Sequence, residues 1–162
     1  IYALIYGCGD RKMGEIINGT SKQGKELKEK LFKKLPALDY LTSAVRRKVE
    51  STGNLRGIDG RILNIRSIHS ALNFLIQSCG SIIVKKATCL LHEKLFSKYK
   101  YGEDWSMTAH IHDELQLEVK ENLVNEIGKL AIQAAKETKD YFNLRCALDA
   151  EYKVGNNWAE TH

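Results

Sequence analysis

An α+β fold is the class this sequence predicts, and three observations point to it. Met107 to Lys120 alternates apolar and polar residues in period two, as strands do. Several other stretches, the longest from about Ile68 to Ser97, repeat apolar residues every three or four positions, as helices do. The 162 residues, 43% hydrophobic and 28% charged, suffice for one ordinary domain with its own core. No run of about 18 apolar residues is seen, so no membrane partner is expected. The four cysteines are far apart and form no C-x-x-C pair, which fits reduced thiols and a cytoplasmic setting better than a zinc ribbon or a disulfide scaffold.

In order along the chain, Ile1 to Tyr6 reads as the last turns of a helix whose beginning is missing, closed by Gly7 and Gly9. Tyr2 and Tyr6 lie four apart, on one face of that helix. Asp10 to Ile17 forms a short helix, broken at Asn18-Gly19; Thr20 or Ser21 then caps a polar surface helix running to about Lys34. Pro36 suits the start of the next helix, with Leu38, Leu41, Val45 and Val49 inward and Ser51 to Asn54 at its end. Asp59-Gly60 is the strongest hairpin signal, with Arg56, Arg61 and Arg66 around it. The long helix follows, and Gly80 inside it suggests close approach by another backbone. His69, Asn73 and Gln77 recur every four residues on it, as hydrogen-bonding groups able to meet the acceptors common to every base pair in a minor groove, or as plain helix surface. After the alternating stretch, a helix from Glu121 or Asn122 ends near Tyr141, and a final strand spans Leu144 to Lys153. That strand, the hairpin within Met107 to Lys120 and the two long helices would make a small antiparallel sheet with packed helices.

The alternating stretch breaks at Asp113-Glu114, where a hairpin tip would present two adjacent carboxylates. Two ionised acids side by side repel, and a bound divalent cation is the usual remedy. Solvated turn chemistry would leave the same sequence, and His110 and His112 beside the acids also admit a zinc or iron site. Charge adds a hint: residues 11–100 hold 19 Lys/Arg against 7 Asp/Glu, residues 101–162 hold 6 against 12. A basic portion beside a carboxylate-bearing one suits a protein that holds a polyanion near a metal ion, although solvated helices carry such runs too.

Four stretches in order, I-Y-A-L-I-Y-G-C-G-D, D-G-R-I-L-N-I-R-S, H-S-A-L-N-F-L-I-Q-S-C-G and H-I-H-D-E, together with the closing N-W-A-E-T-H, resemble the C-terminal part of family A DNA polymerases. Among these the chain looks most like the replicative enzymes of short-tailed bacteriophages. The resemblance implies a partial polymerase domain, with residues 1–55 from the fingers and residues 56–162 from a palm-type sheet. It implies templated nucleotidyl transfer, primer-template DNA and deoxynucleoside triphosphates as partners, and two Mg²⁺ ions. Asp113 would bind metal, Glu114 would be an auxiliary acid and His112 would touch the primer end. Tyr2 and Tyr6 would lie at the incoming nucleotide and the templating position. Asn73 and Gln77 would read the minor groove, with His69 and Arg61 nearby on the strands.

The same resemblance places a triphosphate-binding Lys and Arg upstream of Ile1, and the second metal-binding aspartate in a motif outside this chain. A missing N-terminal polymerase part is therefore an expected partner, and the chain alone is expected to be inactive. A duplex-binding module without chemistry is the alternative.

Overall fold

The computed structural model describes residues 2–161 and divides into two compact units, Ile1–Cys79 and Gly80–His162. Ile1, expected to open the first helix, lies outside the described residues.

The first unit begins with α1 (Tyr2–Ile5), closed as expected at Gly7, whose φ of +72° favours glycine. Helix α2 (Asp10–Ile16) ends before Asn18, and Thr20 caps α3 (Ser21–Lys34). The cap is reciprocal: the Thr20 hydroxyl accepts from the Gln23 N–H, and the Gln23 amide oxygen accepts from the Thr20 N–H at 2.8 Å. Pro36 opens α4 (Pro36–Thr52) at a position where the missing N–H costs nothing. Strands β1 (Asn54–Arg56) and β2 (Ile62–Asn64) pair antiparallel, Leu55 opposite Leu63. A 3-10 turn (Ile68–Ser70) leads into α5 (Ala71–Phe96). Val45, Val49, Leu55, Leu63, Ala71 and Leu72 form this unit's core, each large side chain worth about 1.5–3 kcal/mol when buried. Leu41, expected inward, is exposed.

Between α2 and α3 the backbones nearly touch. A Cβ built on Gly24 would lie 2.1 Å from the Asp10 carbonyl oxygen, and Lys28 adds an ion pair to Asp10 at 2.9 Å. At Gly80, where such an approach was expected, a Cβ would meet nothing within 4 Å among the described residues; the glycine that allows close helix contact is elsewhere.

The second unit holds the rest of α5, β3 (Trp105–Ile111), β4 (Glu114–Val119), a 3-10 turn (Glu121–Leu123), α6 (Val124–Tyr141) and a short α7 (Trp158–Thr161). Leu91, Leu95, Trp105, Ile127 and Ala134 are its core, fed by the apolar residues of β3 and β4 and by one face of α6. Lys94 of α5 meets Glu137 of α6 at 2.8 Å. A bulge between Met107 and Ala109 leaves Thr108 without a strand partner.

By length and composition alone, the helix Ile68–Phe96 would suffice to cross a bilayer, its most apolar 18 residues having a mean hydropathy of 1.4, although no uninterrupted apolar run is present. Lys85 and Lys86 near its middle weigh against that, since each charge costs about 3 kcal/mol at a bilayer centre. Lys86 instead lies over the Tyr141 ring, 3.9 Å from its centroid.

The expected final strand does not form. Its backbone donors go elsewhere: the Leu144 N–H to the Lys139 carbonyl at the end of α6, and the Ala150 N–H to the Asp149 carboxylate. Tyr152 lies against Gly128 of α6, where a Cβ would come within 2.6 Å of its ring. Residues 144–153 therefore follow α6, and among the described residues the sheet of this unit has two strands.

Candidate functional site

In the second unit the hairpin β3–β4 turns on two residues, His112 and Asp113, with Ile111 paired to Glu114. The break thus falls one residue earlier than the sequence suggested. Its backbone explains why: His112 has φ +55°, the left-handed region that few residues with a Cβ enter. That conformation reverses the chain at once, so Asp113 stands exposed at the tip and Glu114 is already the first residue of β4. Glu114 is half-buried, and its carboxylate accepts a hydrogen bond from the Gln116 side-chain amide. Gln116 was not singled out from the sequence. Period two puts residues 114 and 116 on one strand face, which was the available signal.

Two consecutive oxygen-donor side chains suit a hard cation such as Mg²⁺ in kind, and fall short of its six ligands in number. Among the described residues no three of His, Cys, Asp and Glu converge on a metal position, so a zinc or iron site on His110, His112 and Asp113 is not formed. Beside the tip runs a groove of about 1080 Å³, lined by the whole of β4, by Ala131 and Ala135 of α6, and by residues 148–158. Among the described residues, the edge of β4 away from β3 has no strand partner.

The first unit carries the other expected residues. Tyr2 is 82% exposed and Tyr6 54% exposed. The Tyr6 hydroxyl oxygen accepts a hydrogen bond from the Gln77 amide at 2.8 Å, joining α1's end to α5 across 71 residues of sequence. No local pattern announces such a contact. Asn73, one turn before Gln77, keeps its Oδ1 buried, with no hydrogen-bond partner among the described residues. His69 falls in the 3-10 turn and not in α5, so the strip of three begins on a tighter spiral than an α-helix.

The loop between β1 and β2 runs from Gly57 to Arg61, longer than the two-residue turn that Asp59-Gly60 suggested. Its reason is a turn closed by the Gly60 N–H on the Gly57 carbonyl, which places Asp59 inside the loop. There Asp59 accepts from the Arg61 backbone N–H and, at 2.6 Å, from its guanidinium. Desolvation pushes the Asp59 carboxyl up, but these hydrogen bonds outweigh it and hold the group below its ordinary range. Arg61 is thus tied to its own loop.

The sequence pattern of DNA polymerase family A matches residues 1–160. The DNA-directed DNA polymerase of Enterobacteria phage T3 is 35% identical over 183 aligned residues, covering 100% of this chain and 26% of that protein. That of Escherichia phage T7 is 34% identical with the same coverage. A solved structure, the POL domain of Pol1 from M. smegmatis in complex with DNA primer-template and dNTP, superposes with a TM-score of 0.75 at 20% identity, covering 95% of this chain and 28% of that one. The chain therefore spans about a quarter of the length of the curated relatives it matches. A family pattern that runs almost end to end, carried by relatives a third identical over the same residues, places this chain in DNA polymerase family A.

Proposed function

We propose that the chain is a fragment of a DNA-directed DNA polymerase, serving template-directed transfer of a deoxynucleoside monophosphate to a primer 3′-hydroxyl in DNA replication. The observation that carries this reading is the hairpin tip: in a chain of this family, the left-handed backbone of His112 sets Asp113 in the exposed turn, with Glu114 next as the first residue of β4. Sparsely populated backbone conformations cluster at functional sites, and His112 is, among the described residues, the non-glycine positive-φ residue that stands beside two acids.

In this reading Asp113 binds metal, Glu114 assists, and His112 contacts the primer end. Tyr2 and Tyr6 face the incoming deoxynucleoside triphosphate and the templating base. Asn73 and Gln77 meet the minor groove, with Arg61 and His69 on the strands; Arg61 would first have to leave Asp59. Two Mg²⁺ ions, when bound, supply a more acidic primer hydroxyl and a stabilised leaving pyrophosphate. Residues 1–55 would then belong to the fingers and residues 56–162 to the palm, working in the cytoplasm of the host cell.

A single aspartate is too little for two ions, so the second carboxylate belongs to the N-terminal part of the polymerase. The groove beside β4 supports this. The groove, lined by the whole of β4 and about 1080 Å³ in volume, leaves room for a further segment of chain beside that strand. A strand from the missing part that carries the second acid would fill it.

Primer extension on a primed template tests the proposal, with Mg²⁺ and four deoxynucleotides, using the chain alone and mixed with a fragment supplying the N-terminal part. The expected outcome is extension in the mixture alone, abolished by Asp113→Ala. Extension by the chain alone would refute the dependence on the missing part. The second reading, a duplex-binding module without chemistry, draws on the excess of Lys/Arg over Asp/Glu in residues 11–100. It would gain if neither sample extends a primer while duplex binding persists.

A further inference from the structure

We infer that Tyr6 is a positioning residue for Gln77, acting through the hydrogen bond between its hydroxyl and the Gln77 amide; this rests on the proposed reading that Gln77 faces the minor groove of a bound duplex. The contact is short, at 2.8 Å, and lies at the surface, where neither partner is forced into it by packing. An unattached glutamine side chain has three flexible torsions and an amide that can present either end. Once one amide N–H is committed to the Tyr6 oxygen, the other N–H is directed outward and the side chain loses its alternatives.

Every Watson–Crick pair offers two minor-groove acceptors that do not depend on sequence, a purine N3 and a pyrimidine O2. An amide donor held in one orientation meets either of them without reading the base identity. Asn73 supplies a contrast within the same strip, for among the described residues its Oδ1 has no hydrogen-bond partner. Removal of the Tyr6 hydroxyl should therefore act on duplex binding through Gln77 and not through Asn73.

A double-mutant cycle reads this. The affinity of the chain for a fluorescent primed duplex is measured by anisotropy for the parent, Tyr6→Phe, Gln77→Ala, Asn73→Ala, and Tyr6→Phe combined with each of the other two. Tyr6→Phe keeps the ring and removes one exposed oxygen, and an unchanged melting temperature checks that the fold survives. The expected result is binding about fivefold weaker for Tyr6→Phe, one net hydrogen bond. The same loss should appear in the Asn73→Ala background, and no further loss in the Gln77→Ala background. Equal losses in both backgrounds would mean that Tyr6 acts by itself or on the fold, and would overturn the inference. Full binding by Tyr6→Phe would overturn it too. If Gln77→Ala binds duplex as the parent does, the minor-groove reading itself falls, and the inference falls with it for that separate reason.

Discussion

His112 spends conformational energy at the hairpin tip. A side chain with a Cβ costs about 1–3 kcal/mol in the left-handed region, and glycine costs little there. His112→Gly should therefore leave the midpoint of urea unfolding unchanged or raise it, while His112→Val should lower stability by about 2 kcal/mol. If His112→Gly is strongly destabilising, the imidazole holds the tip and the backbone does not. Acid response is also settled at single residues. Asp104 is held below the ordinary carboxylate range by a hydrogen bond from the Lys120 ammonium, then by the Lys100 backbone N–H. Glu137 is lowered by the Lys94 ammonium. Groups with depressed values stabilise the fold above their unfolded pKa, about 4, and lose that contribution as pH falls through their lower folded values. The unfolding midpoint should hold steady from neutrality to about pH 5 and drop below about pH 4, with Lys120→Met and Lys94→Met flattening the drop.

Elements differ in how openly the sequence announces them. A cap at Thr20 or Ser21, Pro36 at a helix start, and the period-two run that became β3 and β4 were each legible, because each works through neighbours in the chain. What escaped depends on contacts far along it. The site of the hairpin break was drawn to the two acids by their turn preference, whereas the backbone of His112 decided it. Residues 144–153 hold a single β-favouring residue, Tyr152, and among the described residues no strand lies beside them; Tyr152 packs on α6 instead. Gly24 is similar: its neighbours across α2 and α3 are invisible in a linear reading. Within a helix Gly→Ala ordinarily stabilises by about 1 kcal/mol. At Gly24 the new methyl would meet the Asp10 carbonyl, so Gly24→Ala should instead destabilise by about 2–3 kcal/mol, as calorimetry or urea unfolding can read.

At the scale of the whole molecule, family and fold class were readable from four short stretches in order. The basic character of residues 11–100 predicts that duplex binding by the chain falls steeply with salt, through counterion release. Asp113→Ala should leave that salt slope unchanged in metal-free buffer. A change in slope would put Asp113 near phosphate without an ion between them. The unpaired edge of β4 has a consequence for amide hydrogen exchange. In an antiparallel pair, alternate residues direct their N–H groups toward the partner and away from it. Every second amide of Glu114–Val119 should therefore exchange slowly in this chain, shielded by β3, while the ones between exchange at nearly the rate of unstructured peptide. Addition of the N-terminal polymerase part should slow that second set and leave the first as it was, giving an odd–even record of a strand arriving.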